Sequence, residues 1–130
     1  MDSPIVLIVD DEPLIAAIVE EAFEDAGFDV RIACDAKDAA VLVADVGLRL
    51  AALVTDIRLG DGTNGWAVAL DARTRLPHLP VVYMTGDSAA DWSAFGVPNS
   101  ILVQKPFVAA QVLTAAMTLM NSDNSVAPAG

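Results

Sequence analysis

Carboxylates, a hydroxyl and an ammonium stand where short apolar runs stop. Asp10 and Asp11 follow Ile5-Val6-Leu7-Ile8-Val9, and Asp56 follows Leu53-Val54-Thr55. Thr85 closes Val81-Val82-Tyr83-Met84, and Lys105 follows Ile101-Leu102-Val103-Gln104. Short apolar runs closed by turn residues read as buried strands. A charge inside such a strand is costly, so each polar group belongs at the strand's C-terminal tip. Asp56 alone would read as a strand-ending Asp that begins a turn. In a parallel sheet, however, all these tips share one edge, where open α/β sheets bind ligands. Two carboxylates about 4 Å apart repel by roughly 4 kcal/mol at an effective dielectric of 20. A hard divalent cation removes that repulsion, and Mg²⁺ suits a few carboxylates plus a phosphoryl group. The Lys105 ammonium and Thr85 hydroxyl suit phosphoryl oxygens. With one carboxylate nucleophile, the set fits phosphoryl transfer to an aspartate.

Positioning these groups requires strands alternating with helices. After the first strand, Pro13 opens a helix with Ile15, Ile18, Val19, Ala22, Phe23 and Ala26 at helical spacing, closed by Gly27. Residues 28–34 read as a second strand, and Asp35 caps a helix to about Val46 with Ala39, Leu42 and Val43 inward. The third strand is Ala51 to Thr55; a helix from Gly65 to Leu76 follows, with Trp66, Ala69 and Leu70 inward. After the fourth strand comes a short helix, Ser88 to Phe95, then the fifth strand and a last helix from about Val108 to Met120. Five strands alternating with five helices through short connections imply parallel βαβ units with helices on both faces. Residues 1–121 form one domain on this reading, and 122–130 a flexible C-terminal tail without a core pattern.

Composition narrows the function classes. The chain has 130 residues, enough for one full core. Its 55% hydrophobic content and mean hydropathy of +0.51 suit a sheet covered on both faces. No apolar run reaches the ~20 residues needed to span a bilayer, and the N-terminus lacks a basic signal region. A cytoplasmic location is expected. The net charge of −11 argues against nucleic-acid and anionic-membrane binding. Cys34 is the only cysteine and is expected to be packed and inert. Glu12 reads as a solvated or capping residue, His78 as a loop residue and Trp66 as core; Trp92 either packs inward or faces a partner.

Ile8-Val9-Asp10-Asp11-Glu12, Thr55-Asp56, Met84-Thr85-Gly86 and Lys105-Pro106-Phe107 stand in an order and spacing that resembles the receiver domain of response regulators. The resemblance runs from residue 4 to about 120. It implies a flavodoxin-like, doubly wound five-stranded parallel sheet in the order 2-1-3-4-5. It implies that Asp56 receives a phosphoryl group from a histidine of a sensor kinase or a histidine phosphotransfer protein. Mg²⁺ would be held by Asp11 directly, by Asp10 largely through water, by Asp56 and by the backbone carbonyl of Arg58. Thr85 would bond the phosphoryl group and switch conformation. Lys105 would pair with Asp56 or its phosphoryl group, and the Lys105–Pro106 bond is expected to be cis. A domain of this kind is a signalling module rather than an enzyme, limited to self-catalysed phosphotransfer and slow dephosphorylation. Its output would be protein contact through the fourth helix, fifth strand and fifth helix, with a homodimer as one form of it. A stand-alone regulator is favoured over a receiver cut from a hybrid kinase.

Two departures from the family pattern shape these expectations. Leu102 stands where many receivers carry an aromatic residue, so movement of Thr85 is expected without a turning ring. Gly60 replaces a common proline in a loop one residue longer than usual. Rival functions fit less well. A haloacid-dehalogenase-like phosphohydrolase needs a second Asp two residues past the nucleophile, where Arg58 stands. An inert interaction module would lack an acid, the Thr or the Lys. A flavin phosphate would meet repulsion from Asp10-Asp11-Glu12. Arg58 and Asp87 are expected to flank the site mouth from opposite sides, where their charges can pair.

Overall fold

The computed structural model describes residues 3–60 and 62–126, with 123–126 described by their backbone alone. The chain runs β1 (Ile5–Val9), α1 (Pro13–Asp25), β2 (Asp29–Ala33), α2 (Ala36–Val46), β3 (Leu50–Asp56), α3 (Gly65–Arg75), β4 (Val81–Thr85), α4 (Trp92–Phe95), β5 (Ser100–Gln104) and α5 (Ala109–Val126). Single 3₁₀ turns at Gly47–Arg49 and Ala89–Asp91 precede β3 and α4. All strand pairs are parallel, in the order β2-β1-β3-β4-β5. The three central strands are buried almost throughout, which is why they read as continuous apolar runs.

Side chains alternate across the sheet and feed two cores. Ile5, Leu7, Val9, Leu53, Val81 and Tyr83 pack with residues of α2 and α3 on one face. Val6, Ile8, Val54, Val82 and Met84 pack with Val19 and Phe23 of α1 and Val112 and Ala116 of α5 on the other. Caps fix where helices begin: Asp35 Oδ1 accepts the Asp38 N–H at 2.8 Å, and Asn64 Oδ1 accepts the Ala67 N–H at 2.9 Å. Among the described residues no helix is long and apolar enough to cross a membrane.

Several expected burials differ. The inner stripe of α1 is Ala16, Val19 and Phe23, so Ile18 is half exposed and Ala26 exposed. In α3 the inward positions go to Gly65, Val68, Ala69 and Ala72; Leu70, about 100° further round than Ala69, faces out. Cys34 is exposed rather than packed, because β2 is an edge strand and ends at Ala33. The last helix does not stop near Met120. It continues to Val126, through the first residues of the expected tail, since neither Gly nor Pro interrupts it before Pro128. Residues 127–130 lie outside the described residues.

Candidate functional site

The C-terminal edge of β1, β3, β4 and β5 gathers the chemistry-bearing side chains. Asp10 directly follows β1, and Asp56 is the last residue of β3; both are buried, at 1% and 5% exposure. Asp10, Asp11, Glu12 and Asp56 each offer a carboxylate oxygen, and these oxygens lie within 4.8 Å of one another. The Asp10 carboxylate is half satisfied: Oδ1 accepts the Glu12 N–H at 2.9 Å, while Oδ2 is buried without a hydrogen-bond partner. Burial, reinforced by the charge of Asp56, pushes the Asp10 pKa up to about 6. Burial likewise raises the pKa of Asp56, against the lowering effect of Lys105.

Lys105 is the cation facing this cluster. Its Nζ lies 3.2 Å from Asp56 Oδ2 and 3.0 Å from Glu12 Oε1. Burial opposes its charge, but the hydrogen bond to Glu12 and the charge of Asp56 outweigh that, and its pKa is raised. The Lys105–Pro106 bond is cis, as expected. Thr85, buried at the tip of β4, accepts the N–H groups of Ser88 at 2.8 Å and Asp87 at 3.2 Å through Oγ1. Neither bond uses the hydroxyl proton, and no hydrogen bond joins Thr85 to Asp56 among the described residues.

The loop after β3 lies against the cluster. Arg58 and Asn64 form an isolated antiparallel bridge whose hydrogen bonds come from the flanking residues: Gly65 N–H to Ile57 O at 2.8 Å and Leu59 N–H to Thr63 O at 3.3 Å. The Arg58 carbonyl takes no part in that bridge. A Cβ at Gly60 would collide with the Asp11 carboxylate, and one at Gly65 with the Asp56 carbonyl. Asp11 is exposed and its carboxylate can turn aside, so it is at Gly65, packed against backbone, that the loop requires glycine. At the mouth, Arg58 Nε lies 3.0 and 2.8 Å from the two carboxylate oxygens of Asp87, so the pair anticipated from spacing is formed. The hydrogen bonds from Arg58 and Ser88 lower the Asp87 pKa.

Of the site residues expected from the sequence, Asp10, Asp11 and Asp56 thus share one acid-lined crevice with Lys105 against Asp56, Thr85 stands at the tip of the neighbouring strand, and Arg58 follows in the loop beside Asp56. Glu12 has a role that its sequence position does not suggest. It sits at the N-cap of α1 but makes no side-chain cap; its half-exposed carboxylate binds Lys105 instead. The signal was present, since Glu12 continues the acidic run at the tip of β1 while Lys105 directly follows β5, two strands beyond β3. Trp92 is partly exposed, and its indole N–H donates to Ser100 Oγ at 3.0 Å.

This crevice fits a hard cation. A buried, unpartnered carboxylate oxygen among clustered acids is the donor chemistry that Mg²⁺ accepts, and it is unfavourable without a positive partner.

A family model described as "Response regulator receiver domain" matches residues 6–117. The phyllosphere-induced regulator PhyR of Methylorubrum extorquens is 30% identical over 107 residues, covering 82% of this chain and 40% of that protein. The chain therefore spans about two-fifths of the length of this relative. A response regulator receiver protein from Sinorhizobium medicae superposes with a TM-score of 0.86 at 37% identity, covering 92% of this chain and 96% of that one. The receiver domain of NtrX from Brucella abortus gives 0.77 at 28% identity, with 90% and 98% covered.

Proposed function

This chain belongs to the response regulator receiver domain family, and from that premise we propose that Asp56 accepts a phosphoryl group from a phosphohistidine of a sensor kinase or histidine phosphotransfer protein. The observation that carries the reading is the convergence of Asp10, Asp11 and Lys105 on one buried carboxylate at the tip of β3. An Asp56 oxygen attacks phosphorus, the P–N bond breaks, and its electron pair returns to the donor imidazole. Lys105 holds Oδ2 and so orients the carboxylate for attack. The residues that would hold Mg²⁺ are Asp10, Asp11, Asp56 and the Arg58 carbonyl. When bound, Mg²⁺ would offset the mutual repulsion of these acids and the charge of the phosphoryl oxygens. An apolar groove of about 470 Å³ lined by Ile15, Ile18, Pro106 and Phe107 adjoins Lys105 and offers a donor protein footing beside the acceptor.

The response starts at Thr85. Its free hydroxyl proton can bond a phosphoryl oxygen, and a move toward Asp56 disturbs the Asp87 and Ser88 amides it now accepts. Those amides lead into α4, so the change reaches the face of α4, β5 and α5, where a downstream protein reads it in the cytoplasm. Nucleic acid and membrane are not partners on this reading, given the charge of −11. Intact-mass measurement after incubation with acetyl phosphate tests the proposal. The protein should gain a single phosphoryl group with Mg²⁺ and none with a chelator; a chain that stays unmodified under both conditions would be an inert module.

The Arg58–Asp87 bridge gives a second expectation. It is too exposed to matter for stability, with the side chains 77% and 54% accessible, but it spans the opening through which water must attack a phosphorylated Asp56. Arg58→Ala and Asp87→Ala should each shorten the phosphorylated lifetime, and the double variant should be no faster than the quicker single one. Strictly additive effects would mean that the two act separately.

A further inference from the structure

Lys105 is shared between two acids that stand in different surroundings. Asp56 reaches it from within, at 3.2 Å with its side chain 7% exposed. Glu12 reaches it from the solvent side, at 3.0 Å with its side chain 55% exposed. A carboxylate oxygen of Glu12 also lies within 4.8 Å of one from each of Asp10, Asp11 and Asp56. Glu12 makes no side-chain cap on α1, so the ion pair is what its carboxylate does among the described residues.

The charges at this edge do not balance. Four carboxylates stand against one ammonium. A divalent cation held by Asp10, Asp11 and Asp56 still leaves one negative charge in excess, and Glu12 carries it. A phosphoryl group on its way to Asp56 must bring its oxygens to Lys105, the cation that Glu12 already occupies. An anionic donor therefore meets repulsion from Glu12 and a partly neutralised Lys105, two effects of the same sign.

We propose that Glu12 is a specificity-determining residue for phosphotransfer, one that disfavours small anionic phosphodonors and favours a protein donor with a basic side chain beside its phosphohistidine. The inference rests on Asp56 being the acceptor. Glu12 precedes α1 three residues ahead of Ile15, which lines the apolar groove beside Lys105 together with Ile18, Pro106 and Phe107. A protein seated in that groove can set a lysine or arginine against Glu12, which frees Lys105 for the phosphoryl oxygens. A small anion brings no such cation and takes the full repulsion.

Phosphorylation rates with two donors of different charge, followed by intact mass at saturating Mg²⁺, test the role. Asp56 attacks phosphorus in both. The P–O bond of acetyl phosphate breaks and its electron pair leaves on acetate; the P–N bond of phosphoramidate breaks and its pair leaves on ammonia. Acetyl phosphate is a dianion at neutral pH, and phosphoramidate carries a single net negative charge. Glu12→Gln keeps the shape and an oxygen that can accept from Lys105, so it removes charge alone. Because Glu12 is well solvated, the variant should react about three- to tenfold faster with acetyl phosphate, and only about two- to threefold faster with phosphoramidate. Glu12→Asp retains the charge and should stay near the wild-type rate with both. At about 1 M salt, where the Debye length falls to about 3 Å, the gap between Glu12→Gln and wild type should close. Binding supplies a reading without turnover: beryllofluoride, an anion that mimics the phosphoryl group, should bind Glu12→Gln severalfold more tightly in an NMR titration. Equal acceleration with both donors, or slower reaction with both, would overturn the proposal, since Glu12 would then act only by holding Lys105 in place. If neither wild type nor Glu12→Gln gains mass from either donor, or if Asp56→Asn still does, the acceptor reading itself fails and this inference falls with it.

Discussion

Asp56→Asn should give a folded protein that gains no phosphoryl group from acetyl phosphate with Mg²⁺ under conditions that modify the wild type. The amide keeps the size of the carboxylate but lacks a nucleophilic oxygen, so the expected loss is complete rather than partial. Folding should survive for a reason visible in the electrostatics. Burial raises the Asp56 pKa even with Lys105 beside it, so at neutral pH the ionised carboxylate works against the metal-free folded state. Removing the charge relieves that cost. Lys105 is not left unpaired, because its Nζ keeps Glu12 Oε1 at 3.0 Å. The thermal midpoint without metal should therefore equal or exceed that of the wild type. A phosphoryl gain that persists in Asp56→Asn would move the acceptor elsewhere and break the assignment.

The second large effect concerns the metal. A ligand that binds only the folded state stabilises it by about 2.7 kcal/mol at a hundred times its Kd. In a chain of this size that raises the thermal midpoint by roughly 5–10 °C. Asp11→Ala should abolish the Mg²⁺-dependent rise, because it removes a carboxylate from a site that has few. An unchanged Mg²⁺ titration in that variant would remove Asp11 from the metal set. The wild-type rise should also depend on pH. Asp10 keeps its proton in the folded chain up to about pH 6, against 3.8 for an ordinary Asp. Protons and Mg²⁺ compete for this carboxylate, so the stabilisation by Mg²⁺ should fade as pH falls through 6. Without metal the trend reverses. Between pH 6 and about 4 the folded state binds more protons than the unfolded one, so the contribution of Asp10 makes the protein more stable as pH falls. Thermal melts with Mg²⁺ and with chelator should converge toward pH 5. Curves that stay parallel from pH 8 to 5 would show that Asp10 does not govern the site.

Most of the site was legible along the chain because its logic is local. A charged or hydroxyl-bearing residue after a buried strand must stand at the strand's tip, and parallel strands bring their tips to one edge. That reasoning places Asp10, Asp56, Thr85 and Lys105 together without any knowledge of side-chain contacts. The strand and helix order follows equally from apolar runs, from Asp35 as a cap and from Pro13 as a helix opener. The strand order 2-1-3-4-5 came with the family resemblance, and the sheet has it.

Contacts between elements distant in sequence were legible only as opportunities. That Arg58 and Asp87 could meet followed from their offsets past two strand tips; that they do meet required both loops to be folded. The binding of Lys105 by Glu12 was missed because it joins β1 to β5 across 93 positions of sequence. The exposure of Ile18, Leu70 and Cys34 was missed for a related reason. Periodicity says which residues share a face, but burial depends on which neighbour covers that face and how far the cover extends. The sequence by itself determined the elements, the residues at their tips and hence the class of chemistry, since these depend on propensity and on the cost of burying charge within a few residues. Tertiary structure alone decided which Asp10 oxygen is left without a partner and which acid holds Lys105, because each depends on the distance between atoms that the chain does not bring together until it folds.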